Sequence, residues 1–202
     1  MAKGFTDQER DAIQSKLMKN GRELFEKFGL KKTSMSQLTK SVGIAQGSFY
    51  LFFSSKEELY FSILEKEEGL LKEKILQQIE SPMTAGAFKN LLMLSVRMVE
   101  ENSFIQQLFK QEEMEQLIRK LPSEKLQQHI KKDTNDLTPL IEIWQKEGSM
   151  VQESPEVISG AFRSMILLAM HKREIGEGVY DSTMELIAEG LANRLFKEEQ
   201  MR

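Results

Sequence analysis

The run TSMSQLTKSVGIAQGSFYLFFSSKEELY, Thr33 to Tyr60, decides how this chain is read. Ser34 and Gln37 have the spacing of a capping box, and Met35, Leu38 and Val42 fall on one side of the helix they open. Gly43 follows where that helix must stop, because left-handed backbone costs glycine little. A short second helix is expected from about Gln46 to Phe52, and Ser55 with Glu58 caps a long one that runs through Leu59, Ile63, Leu70 and Leu71 towards Glu80 and Pro82. Two short amphipathic helices meeting at a steep corner are the geometry of a helix-turn-helix. The second helix then lies in the major groove, about 12 Å wide, while the first crosses the DNA backbone. Met35, Leu38, Val42, Ile44, Phe49 and Phe53 supply a small core that holds the angle, leaving Gln46, Gly47, Ser48 and Tyr50 to face outward. Glutamine and serine hydrogen-bond base edges or phosphate, and Gly47 permits close approach.

Outward from this run, helical periodicity continues in both directions, and no stretch alternates long enough to argue for a strand. Thr6 with Glu9 opens a first helix that carries Ile13, Leu17, Leu24, Phe25 and Phe28 and stops at Gly29. Beyond Pro82, helices are expected near 84–101, 104–121, 123–147, 155–173 and 181–197, with Pro139 kinking or splitting the third. The fold class is all-α: an N-terminal three-helix helix-turn-helix domain, 1–54, and a larger C-terminal helical domain, 55–202.

The chain has 202 residues, 40% apolar and 29% charged, which suits a small domain joined to a larger one. It lacks a run of about 18 apolar residues and an N-terminal apolar signal segment, so a cytoplasmic protein with no membrane partner is expected. The absence of cysteine excludes disulfides and thiolate chemistry. The charge is uneven: residues 1–60 hold ten Lys or Arg against seven Asp or Glu, and the remainder eighteen against twenty-four. An anionic partner therefore belongs with the first part.

In register with these features, Gly43, Gly47, Phe49, Tyr50, Phe52, Phe53, Ser55, Lys56, Glu57 and Leu59 fall on a known pattern. The segment from about residue 8 to 64 resembles the DNA-binding region of the TetR family of transcriptional regulators. That resemblance implies DNA contacts by Thr33 or Ser34, Gln46, Gly47, Ser48 and Tyr50, with Lys56 on phosphate at the start of the long helix. It also implies a homodimer on a pseudo-palindromic operator, repression released by a ligand, and an effector pocket among the central helices. Two residues depart from the family's usual choice. Ala45 stands where a capping serine is common, which leaves the recognition helix uncapped, and Leu51 offers packing or a thymine-methyl contact instead of a hydrogen bond.

For an effector, Met93, Met98, Phe104, Phe109, Trp144, Phe162 and Met165 are the candidate lining, and the twelve methionines suit an adaptable pocket for a small apolar or amphipathic molecule. Each of them also fits ordinary core. The helix over 155–173 is apolar on more than one side, so it is expected to pack in its own domain and against a second copy. Val157, Ala161, Ser164 and Leu168, with Ile187 and Leu191 of the last helix, are the expected dimer surface, a four-helix bundle about a two-fold axis. Lys31, Lys32 and Lys40 fit phosphate contacts or a solvated face equally well. His129 and His171 stand far apart without ligating neighbours, so neither metal nor cofactor is expected, and no catalytic constellation can be assembled. The rival reading is a helical ligand carrier or scaffold without sequence-specific DNA binding.

Overall fold

The computed structural model describes residues 5–108 and 113–196, apart from the side chains of residues 113, 114 and 116, and contains eleven helices among them. They are α1 (Asp7–Lys32), α2 (Met35–Val42), α3 (Gln46–Phe49), α4 (Lys56–Leu76), α5 (Ala85–Glu101), α6 (Ser103–Leu108), α7 (Glu113–Lys120), α8 (Ser123–Lys146), α9 (Pro155–Ala169), α10 (Lys172–Ile175) and α11 (Tyr180–Leu195). Among the described residues the only extended pairing is an isolated bridge between Met150 and Phe196. The chain divides into two compact units, Met1–Leu70 with Asn102–Pro122, and Leu71–Glu101 with Ser123–Arg202. This partition by packing differs from the expected cut after residue 54: most of α4 and the segment carrying α6 and α7 pack with the N-terminal helices.

In the first unit, Thr6 and Glu9 form the expected capping box of α1. The helix is interrupted at Gly29, whose φ of 78° and ψ of 167° are not helical. Leu17, Phe25, Leu30, Leu38, Phe49, Leu59, Tyr60 and Ile63 form the buried core. Gly21 lets α1 approach α4, since a Cβ there would meet Leu59 Cδ2 at 3.2 Å and Ile63 Cδ1 at 3.3 Å. Tyr60 packs between Phe25 and Phe104, with ring centroids at 4.9 and 4.7 Å. At the rim of that core, Arg22 Nε donates to Glu67 at 2.7 Å and the Asn102 amide to the same carboxylate at 2.9 Å. Burial pushes the Glu67 carboxyl up, but these two donors outweigh it and hold the group below its usual value.

In the second unit, α5, α8, α9 and α11 enclose a core built from Phe88, Leu92, Val96, Ile141, Trp144, Met165, Met184 and Ala188. Phe196 closes it, its ring centroid 4.9 Å from Phe88 and 6.0 Å from Trp144. Pro139 does not split α8, which runs as one helix from Ser123 to Lys146. Packing along the length of α9 offsets the cost of the missing amide, roughly 3 kcal/mol in a helix interior. The expected helix over 155–173 instead ends at Ala169, and the short α10 follows it.

Candidate nucleic-acid interface

The corner between α2 and α3 is built by its caps. Ser34 Oγ accepts from the Gln37 amide, and the Gln37 side chain accepts from the Ser34 amide at 2.8 Å. Gly43 ends α2 in the left-handed region at φ 76° and ψ 32°. Its amide donates to Lys40 O at 3.3 Å and the Ile44 amide to Thr39 O at 3.1 Å, the paired bonds of a Schellman ending. Ala45 gives α3 no side-chain cap, and regular helix lasts only from Gln46 to Phe49, with Tyr50 to Phe52 in turns. The helix starts at the expected Gln46, and the shortfall is at its C-terminal end, which gives way to turns after Phe49.

This corner turns Phe49 inward, fully buried and 6.0 Å from the Phe53 ring. Ser34, Gln46 and Gly47 are exposed and Ser48 is half-buried, while Tyr50 is 60% exposed and neighbouring Leu51 55%. Lys31, Lys32 and Lys40 are also exposed. Arg10, which periodicity did not single out, joins this surface from α1: its Nη2 donates to Leu51 O at 3.3 Å and its guanidinium lies 5.9 Å from the Phe52 ring centre. No local spacing announces a pairing 41 residues apart.

Two of the expected contact residues have other duties. Thr33 is fully buried, its hydroxyl donating to Gly29 O at 2.7 Å, so it closes the interrupted end of α1 and does not face outward. Lys56 is half-buried, and its ammonium is engaged within the protein. Its Nζ donates to Leu30 O at 2.7 Å, Lys31 O at 3.3 Å and Thr33 O at 3.0 Å, which uses its three protons on the last carbonyls of α1. The head of α4 is capped by Ser55, whose Oγ accepts from the Glu58 amide at 3.0 Å, while the Glu58 carboxylate reaches Ser54 and not Ser55. Glu57 is buried and receives Lys120 Nζ at 2.9 Å. Burial raises its pKa, but Lys120, a backbone donor and Lys56 lower it further, so it stays below the usual carboxylate value. Lys56 and Glu57 thus bind this unit together.

The expected effector residues do not converge. Trp144 and Phe162 line an apolar cleft in the second unit with Ile75, Leu76, Phe88, Leu137 and Ile158. Met93 lines a broader hollow of about 580 Å³ beside Arg97, Glu100, Tyr180 and Glu185. There, burial and the Glu100 carboxylate push the Tyr180 phenol well above its usual pKa. Met98 is half-buried and lines neither, Met165 is buried in the second unit's core, and Phe104 stacks on Tyr60 in the first. Phe109 lies outside the described residues. Helical spacing could not separate these because core and cavity positions share one apolar periodicity.

The expected partner surface is only partly covered. On α9, Val157 and Ser164 are exposed and Ala161 and Leu168 half-buried; on α11, Ile187 and Leu191 are half-buried. Leu167 and Leu186, outside the expected surface, are 47% and 73% exposed on the same two helices. Their registers, 157, 160, 164 and 167 on α9 and 183, 186 and 190 on α11, were the available signal. Among the described residues no helix is long and apolar enough to cross a membrane.

Residues 17–63 match the model of the bacterial regulatory proteins of the tetR family. An uncharacterised HTH-type transcriptional regulator of Bacillus subtilis (strain 168), YuxN, is 33% identical over 117 residues, 54% of this chain and 40% of that protein. The alignment thus spans well under half of the relative's length. A TetR-family transcriptional regulator from Pectobacterium atrosepticum superposes with a TM-score of 0.69 at 16% identity, covering 93% of this chain and 94% of that one. A second structure of the same description, from Mesorhizobium loti, gives 0.64 at 12% identity over 95% and 100% of the two chains. The helix-turn-helix segment thus matches the tetR family of bacterial regulatory proteins in sequence, and the all-helical fold is shared with these solved structures along nearly the whole chain.

Proposed function

We propose that the chain is a DNA-binding transcriptional regulator, a ligand-responsive repressor that binds a pseudo-palindromic operator as a homodimer. The observation that carries this is the Gly43 corner, which buries Phe49 while leaving Gln46, Gly47 and Tyr50 in solvent. Gln46 reads base edges, Gly47 admits the backbone, and Tyr50, Ser48 and Ser34 hold phosphate or bases. Exposed Lys32 and Lys40 supply positive charge beside them.

The paired faces of α9 and α11 join two copies, and the two recognition helices then meet DNA about one helical turn or more apart. The helix α4 contributes Leu59 and Ile63 to the first unit and Ile75 and Leu76 to the second. A ligand that prefers one position of its last turns lowers operator affinity by its differential affinity for the two states.

The test is DNA selected from a random pool by the purified protein. Binding is expected to weaken steeply with salt, as counterion release requires. Gln46→Ala and Tyr50→Ala should each weaken operator binding by about 1–3 kcal/mol with the dimer intact. Salt-insensitive binding, or unchanged affinity in both variants, would favour the carrier or scaffold reading.

A further inference from the structure

The end of α3 is tied back to the head of α1. Past Phe49 the chain closes in tight turns, the Leu51 amide donating to Ser48 O at 3.2 Å and the Phe52 amide to Phe49 O at 2.9 Å. The Leu51 carbonyl accepts from Arg10 Nη2 at 3.3 Å, so both backbone groups of this residue are engaged. Beside it, the Phe52 ring centre lies 5.9 Å from the Phe5 ring and 5.9 Å from the Arg10 guanidinium. The main chain at residue 51 is fixed while its side chain is left in solvent.

Of the large apolar side chains between residues 33 and 55, only Tyr50 and Leu51 are more than half exposed, at 60% and 55%. Tyr50 carries a hydroxyl for phosphate or a base, and Leu51 carries no polar atom at all. More than half of Leu51 makes no contact within the chain, so core packing is not its role. An i to i+3 turn eclipses the side chains at its two ends, which sets Leu51 on the face of Ser48. Gly47, next to Ser48, keeps the region open, with nothing within 4 Å of the place a Cβ would take.

In the major groove the base edges present hydrogen-bond donors and acceptors, and the C5-methyl of thymine is the one apolar group among them. We propose that Leu51 is a specificity-determining residue that packs on a thymine methyl, one in each half-site of the operator. Against an adenine, guanine or cytosine edge the leucine would strip water from a donor or acceptor and replace it with nothing, so it favours thymine and penalises the alternatives. The Arg10 bond and the contacts of Phe52 hold the backbone that aims it. This goes beyond the contacts assigned to Gln46, Ser48 and Tyr50, and it rests on the DNA-binding reading.

Deoxyuridine lacks the C5-methyl and keeps every hydrogen-bonding group of thymine, so it isolates this contact. On the operator selected by the full-length protein, thymines of the two half-sites are replaced by deoxyuridine in symmetry-related pairs. At one pair the parent is expected to lose about tenfold in affinity, as for two methyl groups left unburied. Leu51→Ala should bind the ordinary operator about tenfold more weakly and be indifferent, within about twofold, to deoxyuridine at that pair. Leu51→Met should keep most of the preference. All three proteins should melt alike, because the position is exposed. A destabilised Leu51→Ala would make the leucine a packing residue and overturn the assignment. So would a deoxyuridine penalty that Leu51→Ala retains in full, or an operator whose half-sites share no thymine. Protein that selects no DNA, or binds it without dependence on salt, sinks the DNA-binding reading itself. A salt-sensitive operator on which the parent ignores deoxyuridine at every pair sinks the role of Leu51 alone.

Discussion

The Lys56 ammonium sits 2.7 Å from the Leu30 carbonyl, so the lysine of the Ser-Lys-Glu motif ties the head of α4 to the end of α1. Hydrogen bonds from charged groups contribute about 1.5–3 kcal/mol, and three carbonyls lose their donor when this side chain is cut. Lys56→Met should therefore lower the melting temperature by roughly 4–8 °C, at about 2–4 °C per kcal/mol for a chain of this size. The salt dependence of DNA binding should keep its slope. A slope reduced by about one with unaltered stability would instead make this lysine a phosphate contact.

Two glycines in the same corner should behave oppositely. Gly43 holds φ 76°, and a Cβ there would touch nothing within 4 Å, so alanine is penalised by backbone conformation alone, about 1–2 kcal/mol. Gly47 lies in regular helix with open space around it, so Gly47→Ala should fold as well as the parent or slightly better. Its cost should show only on DNA, where the added methyl meets the duplex. Thermal melts of both variants with gel shifts on the selected operator separate the two effects. A stable Gly43→Ala would sink the corner argument.

The helix-turn-helix was legible because its signals are local: the caps at Ser34 and Ser55, the stop at Gly43 and the alternation of Phe49 with Tyr50 all act within a few residues. The duties of Thr33 and Lys56 were not, since each is fixed by carbonyls at the end of α1 that no spacing within the motif reveals. Phe104 read as a pocket residue because it lies among central helices in sequence, yet it stacks on Tyr60. Burial in a core and exposure to a cavity leave the same apolar imprint, so Trp144 and Met165 could be told apart only in three dimensions.

Glu57 and Glu67 predict the acid limb of the stability curve. Both carboxyls are held below their ordinary value in the folded chain, so each contributes stability that is fully present above the unfolded value, about 4.3. That contribution is lost as pH falls through the lowered folded values. Glu57→Gln should consequently be less stable than the parent at neutral pH, and the gap should narrow below about pH 4. Urea melts of both proteins at pH 7 and pH 3.5 check this, and a gap that widens on acidification contradicts the assigned direction.

Leu186 offers the cleanest probe of the partner surface, because at 73% exposed it contributes little to the fold of a single chain. Placing a charge at so open a position should alter the stability of the isolated chain by no more than about 0.5 kcal/mol. In a bundle formed by α9 and α11 of two copies, however, Leu186→Glu would bury an unpaired carboxylate beside its symmetry mate, a cost of several kcal/mol. Sedimentation equilibrium should show a dimer for the parent and a predominantly monomeric variant with unchanged helix content. Operator affinity should fall with it, since each half-site then binds alone. A Leu186→Glu protein that remains dimeric would move the interface off α11, and the exposed stripe of Val157 and Leu167 on α9 would be the next surface to charge.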